Sequence, residues 1–384
     1  MLTFEQVARS GNARAGLLHT VHGDVPTPVF LPVATQGSVK TVTPQELREL
    51  GATILLGNTY HLYLRPGVDV VRQMGGLAHF MAWDGPTFTD SGGFQAFSLG
   101  SRVRVSDEGL WFHSHIDGSR HQFTPEIATA YQETLGADII MPLDQCIAYT
   151  ENFEEARAAM ERTHQWLARC KKSHRTDGNQ ALFGIVQGGV FMELREESSA
   201  YVASLDPPGY AIGGLEVGEP KDIMYSVVER TIAFLPDSKP RHLLGVGSPE
   251  DLVEGVARGI DMFDCALPTR VARNGALYTR LGRINVAAAT HRGKDGPVEE
   301  GCDCYSCKNF TVGYLHHLFR SGELLALRLG TLHNLRFIMR LMQEMRGAIQ
   351  NDTFSEYAEE FLANYRPANK DARKDQRERW LSRK

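Results

Sequence analysis

Short apolar runs of three to seven residues recur along the chain, and most are followed by a stretch in which apolar positions return every three or four residues. Runs at 28–34, 53–56, 87–89, 137–143, 181–186, 209–212, 242–246 and 260–263 predict eight strands. Segments 44–50, 62–74, 125–136, 151–173, 192–204, 221–234 and 249–258 predict the intervening helices. Thr43-Pro44, Thr124-Pro125-Glu126 and Ser248-Pro249-Glu250 supply the capping residue and first-turn proline expected at helix starts. Strand and helix in strict alternation point to a parallel sheet, either wound on both faces or closed on itself. Polar and glycine residues gather at the C-terminal end of nearly every run: Gly57-Asn58-Thr59-Tyr60, Asp90-Ser91-Gly92-Gly93, Asp144-Gln145-Cys146, Gln187-Gly188-Gly189, Gly213-Gly214-Leu215-Glu216, Gly245-Val246-Gly247 and Asp264-Cys265. A closed barrel brings those ends together on one face, so the pattern favours a (β/α)8 barrel of the TIM type over a doubly wound sheet. The expected organisation is a β-hairpin cap at 1–24, the barrel at 25–273, an inserted zinc-binding subdomain at 274–345, and a closing helix with a basic tail at 346–384.

Composition adds limits. With 384 residues, 42% hydrophobic and 23% charged, the chain is long enough for a full barrel core plus an appendage. It shows no signal-peptide pattern and no apolar stretch of the roughly 18 residues needed to span a bilayer, so a cytoplasmic protein without a membrane partner is expected. Net charge is −5, so a polyanionic partner needs a local basic surface. Residues 269–294 offer one, with Arg270, Arg273, Arg280, Arg283, Arg292 and Lys294 and no acidic residue. The tail from Arg366 onward is also basic, either for the same partner or as a solvated end.

Of the six cysteines, Cys302, Cys304 and Cys307 are clustered, and His333 stands at the head of a helical segment. Three thiolates and one imidazole complete the tetrahedral shell that zinc prefers, with no position left for water, which makes the site structural. His316 and His317 are rival fourth ligands; placement on the helix favours His333. A filled shell also disfavours a barrel hydrolase that uses zinc as its catalyst.

Asp90, Asp144 and Asp264 each end a different strand. A single such aspartate is commonly a turn or cap residue. Together at one mouth, two carboxylates can divide the work of a double displacement, one attacking an anomeric carbon and the other moving protons on the departing and entering groups. The glycine pairs beside them allow a flat ligand to approach backbone N–H groups.

Asp90-Ser-Gly-Gly-Phe-Gln95, Gln187-Gly-Gly189, Gly213-Gly-Leu-Glu-Val-Gly-Glu219, Gly245-Val-Gly247, Asp261-Met-Phe-Asp-Cys265, Leu267-Pro-Thr-Arg270, Arg273-Asn-Gly275 and the Cys302, Cys304, Cys307, His333 set resemble, in order over residues 11–345, the queuine tRNA-ribosyltransferase (tRNA-guanine transglycosylase) family. The resemblance implies a pentosyltransferase of queuosine biosynthesis. It would exchange the wobble guanine of GUN-anticodon tRNAs for the deazaguanine preQ1 through a covalent aspartyl-ribosyl intermediate. It implies Asp264 as nucleophile and Asp90 as general acid/base. Asp90, Ser91, Asp144, Gln187 and the Gly214 amide would contact the base, with the Leu215 carbonyl meeting its aminomethyl group, Glu219 orienting that peptide, and Phe94 and Leu244 sandwiching the ring. Gly245, Val246, Gly247, Thr269, Arg270, Val271, Ala272 and Arg273 would face the anticodon loop. One structural zinc per subunit and a homodimer are implied as well. Phe94 and Leu244 stand where some relatives carry Tyr and Met, Val217 fits a pocket for the small preQ1, and Glu216 has no role assigned by the resemblance. A non-catalytic, zinc-bearing RNA-binding paralogue is the main rival, and paired carboxylates weigh against it.

Overall fold

The computed structural model describes residues 2–97, 103–175 and 179–367. Most of the basic tail lies outside the described residues. The barrel closes through two five-stranded parallel sheets that share two interrupted strands. The first barrel strand is broken at Pro32, which has no N–H to donate. Its first half, Val29–Leu31, pairs with the eighth strand, Met262–Asp264, and its second half, Val33–Ala34, pairs with the second, Leu55–Gly57. The fifth strand divides at Phe183 in the same way: Ala181–Leu182 pairs with the fourth strand, Ile139–Ile140, and Gly184–Val186 with the sixth, Tyr210–Ile212. Thr87–Thr89 and Arg241–Leu243 complete the ring as third and seventh strands. The fold is therefore the expected (β/α)8 barrel, including the third strand, whose composition alone is a weak signal.

Alternation along the strands builds two cores. Val29, Leu31, Val33, Leu56, Phe88, Ile139, Phe183, Ile185, Ala211 and Met262 fill the interior, while Phe30, Ala34, Leu55, Ile212, Leu243 and Phe263 point outward against the helices. This period of two fixes what happens one step beyond the packed layer. Asn58, Asp90, Gln187, Gly213 and Asp264 each lie two residues past an interior apolar residue, so the register carries them up to the C-terminal mouth. Asp144 departs from the period because Pro142 interrupts its strand.

The expected helix at 62–74 is two helices, Thr59–Leu64 and Val68–Gln73. Pro66 and Gly67 separate them, with Arg65 forced into extended backbone ahead of the proline. A three-stranded antiparallel sheet, Val103–Ser106, Gly109–His113 and Arg120–Phe123, stands between barrel strands three and four; the strand pattern above does not include it. Gly109 and Asp117-Gly118 are its turn signals. At the other end of the barrel, the N-terminal segment forms three antiparallel strands, Thr3–Ser10, Ala13–Thr20 and Gly23–Thr27, the last going beyond the expected hairpin. Its Leu2, Leu18 and Val25 pack on the interior core and close that end.

After the eighth strand, Leu267–Arg273 leads into a hairpin, Ala276–Thr279 and Gly282–Asn285, and then to the cysteine turn. The 27-residue helix Leu324–Gln350 returns to pack against both Pro249–Ala257 and Pro44–Leu50, which puts it in the place of the eighth barrel helix. Asn334 fastens it by accepting from Tyr278 N (3.0 Å) and donating to Pro268 O (3.1 Å) and Ala276 O (3.0 Å). Among the described residues, no helix is long and apolar enough to cross a membrane.

Candidate active site

Three carboxylates converge at the barrel mouth, and among the described residues none of them is paired with an arginine or lysine. Asp90 accepts from Asn58 Nδ2, from the Thr59 amide (2.9 Å) and from Gln95 Nε2 (2.7 Å). Asp144 accepts from Gln187 Nε2 (2.7 Å). Asp264 Oδ1 takes the Nε2 of His242 (2.8 Å) and, at longer range, the Gly245 amide (3.3 Å). Burial without a countercharge disfavours the ionised form. It pushes the Asp90 carboxyl up to about 6, against the pull of its three donors, and nearby Asp264 adds to the rise. Asp144 is likewise raised to about 6, by burial first and then by the charge of Asp90. The three charges thus act on one another, and Asp90 and Asp144 hold a proton to higher pH than an ordinary carboxyl does.

Gln187, beside Asp144 at the mouth, is buried. Its amide fills the space beside Gly213 and Gly214 so closely that a Cβ added at either would come within 2.6 and 2.4 Å of it and push Gln187 aside, and Gly214 also has the left-handed backbone that favours glycine (φ 69°). Arg195, wholly buried, ties the surrounding loops together by donating to the carbonyls of Val186 (3.0 Å), Gly189 (2.8 Å) and Gly213 (2.9 Å). Glu219 accepts from the amides of Glu216 (2.5 Å) and Val217 (3.1 Å). It therefore grips the Leu215–Glu216 peptide, and because that peptide is planar and trans, the Leu215 carbonyl faces away from Glu219. Glu216 has left-handed backbone (φ 59°), and its carboxylate pairs with Lys221, which also reaches Asp251 (2.7 Å). Ser91 is buried, its hydroxyl accepting from the Gly93 amide (3.2 Å). Phe94, on the short helix Gly93–Phe97, leaves 45% of its surface open, whereas Leu244 is half-buried against the interior core.

The residues named for RNA divide by exposure. Val246, Thr269 and Ala272 are buried, and Gly247 lies so close to Cys265 that a Cβ would come within 2.4 Å of that side chain. These positions can offer backbone and shape. Arg270 is exposed; Val271 and Arg273 are partly so, Arg273 donating to Thr269 O (2.9 Å). Of the wider basic stretch, Arg280 is taken up by Glu344.

At the cysteine turn, ligand atoms of Cys302, Cys304, Cys307 and His333 all lie within 4.8 Å of one another. His333 Nδ1 faces the three sulfurs at 3.7, 3.7 and 3.3 Å, while its Nε2 lies 2.7 Å from the Tyr278 carbonyl. Donation from Nε2–H fixes the tautomer and leaves Nδ1 as a free lone pair aimed at the cluster, the arrangement of a metal-bound imidazole. The rival His316 instead turns its Nδ1 to the Val286 carbonyl (2.9 Å). The cluster can hold a metal ion.

Several members of the site escape a residue-by-residue reading. Asn58, Thr59 and Gln95 sit inside motifs quoted above, but no role attaches to them until the fold brings them to Asp90. Arg195 and His242 carry no local signal, for each is an ordinary-looking residue in a helix or strand.

The profile of the queuine tRNA-ribosyltransferase family matches residues 9–367. A queuine tRNA-ribosyltransferase of Dehalococcoides mccartyi is 54% identical over 371 residues, 97% of this chain and 94% of that protein. Proteins of the same name from Desulforudis audaxviator and Herpetosiphon aurantiacus are 56% identical over 351 residues and 55% over 355, covering 91% and 92% of this chain and 94% and 90% of their own lengths. A match of this extent, together with the barrel, its carboxylate-lined mouth and the cysteine–histidine cluster, places the chain in the queuine tRNA-ribosyltransferase family.

Proposed function

We propose that the protein is a tRNA-guanine transglycosylase that replaces the wobble guanine of GUN-anticodon tRNAs with preQ1 in the cytoplasm, by way of an ester between Asp264 and the ribose. The observation that carries this reading is the difference among the three carboxylates. Asp264 is partly open to solvent and has one oxygen bound by His242 and Gly245, so its Oδ2, which accepts no hydrogen bond among the described residues, is available to attack C1′. Asp90, raised toward neutrality by burial, serves as the acid for the departing purine and the base for the entering one. Asp144 and Gln187 form a linked acceptor and donor pair that suits the amide-like edge of a guanine-type base.

The peptide held by Glu219 supports preQ1 over guanine as the entering base. With the Glu216 amide committed to Glu219, the same peptide has a carbonyl to give to an ammonium group. Phe94 supplies an open aromatic face for stacking, a contact worth about 1–3 kcal/mol per base. Arg270 and Arg273 hold the anticodon-loop backbone, and the buried residues around them set the shape of that contact.

The metal is a structural zinc, one per chain. It would be held by Cys302, Cys304, Cys307 and His333, and would tie the turn to the long helix. The subdomain also presents a run of aromatic rings, with Tyr305 against Phe310 (5.8 Å), Phe310 stacked on Tyr314 (5.4 Å) and Tyr314 beside His317 (6.5 Å). Tyr305 and Tyr314 leave 57% and 39% of their surfaces exposed, which supports a homodimer formed through this face.

Exchange of labelled guanine into tRNA, combined with trapping of a denaturation-resistant tRNA adduct, tests the reading. Asp264→Asn is expected to lose both while still binding tRNA. Exchange that persists in this variant overturns the assignment.

A further inference from the structure

The barrel interior is a stack of aliphatic and aromatic side chains with an imidazole among them. His242 lies in the inward register of the seventh strand, is fully buried, and packs its ring against Phe88 (4.9 Å between centroids). Placing an imidazole in such a layer costs several kcal/mol unless its polar atoms are satisfied. Only one of them is. Nε2 meets Asp264 Oδ1 at 2.8 Å, while Nδ1 is buried without a hydrogen-bond partner among the described residues.

Those two facts determine where the ring carries its hydrogen. A carboxylate oxygen can only accept, so the bond to Asp264 requires hydrogen on Nε2. In the neutral ring, Nδ1 then keeps a bare lone pair.

We infer that His242 is a positioning residue for Asp264, a donor built into the barrel core that fixes the carboxylate rotamer through Oδ1 and leaves Oδ2 as the attacking atom. The inference rests on the proposed nucleophilic role of Asp264. In the first half-reaction, Oδ2 forms its bond to C1′ as the C1′–N bond breaks; that electron pair leaves with the purine, which takes a proton from Asp90. In the second, the entering base attacks C1′ and gives its ring proton to Asp90. The C1′–Oδ2 bond breaks, and its electron pair returns to the carboxylate. Throughout, Nε2–H stays on Oδ1. It holds the carboxylate still for attack and stabilises the negative charge as the ester departs, without becoming bonded to substrate or giving up its proton. The Gly245 amide, at 3.3 Å on the same oxygen, is the weaker second donor.

The test compares two unbranched replacements of similar length, His242→Gln and His242→Met, with Asp264→Asn alongside. Glutamine can return an N–H to the position of Nε2; methionine fills the same volume with no donor and suits an apolar core better. The readouts are kcat and KM for tRNA in guanine exchange, the single-turnover rate of adduct formation, and the thermal midpoint. Positioning predicts that His242→Met lowers kcat and the adduct rate together, on the order of 100-fold as for loss of one preorganised donor, with KM unchanged. His242→Gln should recover most of the loss although its thermal midpoint is the lower of the two. A purely structural histidine predicts the opposite order, with Met as active as Gln or better, or a loss confined to KM; either result overturns the inference. An adduct that forms in Asp264→Asn overturns the nucleophile assignment itself. Absence of adduct there, with Met equal to Gln, overturns only the role given to His242.

Discussion

Asp261 and Asp264 lie three residues apart in one segment of chain, at opposite ends of the eighth barrel strand, and their surroundings could hardly differ more. Asp261, at the closed end, is fully buried and receives two nitrogens of Arg14 and the amide of Arg241 (2.7 Å). Arg241 in turn reaches Asp237 (2.6 Å), so charge is answered by charge across the whole floor. Asp264, at the open end, is answered by an imidazole and an amide, and its neighbours Asp90 and Asp144 by side-chain amides and backbone. Among the described residues, no arginine or lysine makes a salt bridge to any of these three carboxylates. Burial raises the carboxyl at both ends, but at Asp261 the guanidinium of Arg14 pulls against the rise and occupies both oxygens. At the mouth no guanidinium opposes it, and an oxygen is left available for chemistry, at some cost in stability.

That contrast can be broken most sharply by the same substitution at both sites. Asp264→Asn is expected to lower exchange at least on the order of 10⁴-fold, as for removal of other covalent nucleophile machinery, with no loss of folding stability. Asp261→Asn should leave activity per folded molecule intact but destabilise by about 3 kcal/mol, because Arg14 loses its one buried countercharge and keeps only the Asp237 and Lys239 carbonyls and the more distant Asp237 carboxylate (3.9 Å). Chemical denaturation and single-turnover exchange on the two variants decide the matter; a stability loss at 264, or a chemical one at 261, contradicts it.

The cysteine cluster belongs with the floor, since each of its donors is spoken for. Cys307→Ser is expected to abolish zinc in elemental analysis and to destabilise by several kcal/mol. In hydrogen exchange, the protection lost should be centred on the 302–333 region. Retention of stoichiometric zinc in this variant contradicts the four-ligand assignment.

At the mouth, the elevated carboxyl of Asp90 gives a smaller, pH-dependent effect with a definite sign. Its folded pKa of about 6 lies above the unfolded value, so its contribution to stability is fully present below about pH 4 and is lost as pH rises through about 6. Asp90→Asn removes that loss. After allowance for solvent at the open mouth, the variant should be more stable than the parent by about 1–2 kcal/mol at pH 8 and equal to it at pH 4. Thermal midpoints across that range check both the size and the direction.

The smallest effect is expected at Glu216. Its carboxylate answers Lys221, which keeps Asp251 as a partner, so Glu216→Gln should cost less than about 1 kcal/mol. Exchange of preQ1 should be close to that of the parent. A large loss selective for preQ1 over guanine in a competition assay shows that Glu216 itself meets the amine.

Much of this was legible without coordinates, because it depends on local rules. The alternation of apolar runs with helical segments, and the polar residues that end each run, follow from periodicity and turn chemistry, and they led to the barrel and to Asp90, Asp144 and Asp264. The cysteine spacing announced a metal cluster for a similar reason: three ligands on one turn need no tertiary structure to bring them together. The limits are equally physical. Pro66 and Gly67 split a helix that apolar spacing alone made continuous. The antiparallel sheet at 103–123 does not stand out because its strands are only four or five residues long and only the first, Val103-Arg-Val-Ser106, alternates strictly.

By itself, then, the sequence determined the eight barrel strands and most of the residues delivered to the mouth, since an inward position followed two residues later by a polar one admits a single placement once the strand exists. Only the tertiary structure decided who touches whom: His242 to Asp264 across 22 positions, Asn58 to Asp90 across 32, Gln187 to Asp144 across 43, and His333 rather than His316 to the sulfurs. Such pairs depend on barrel closure and on the return of the long helix. The distances they close, and the burial that makes them matter, do not exist along the chain.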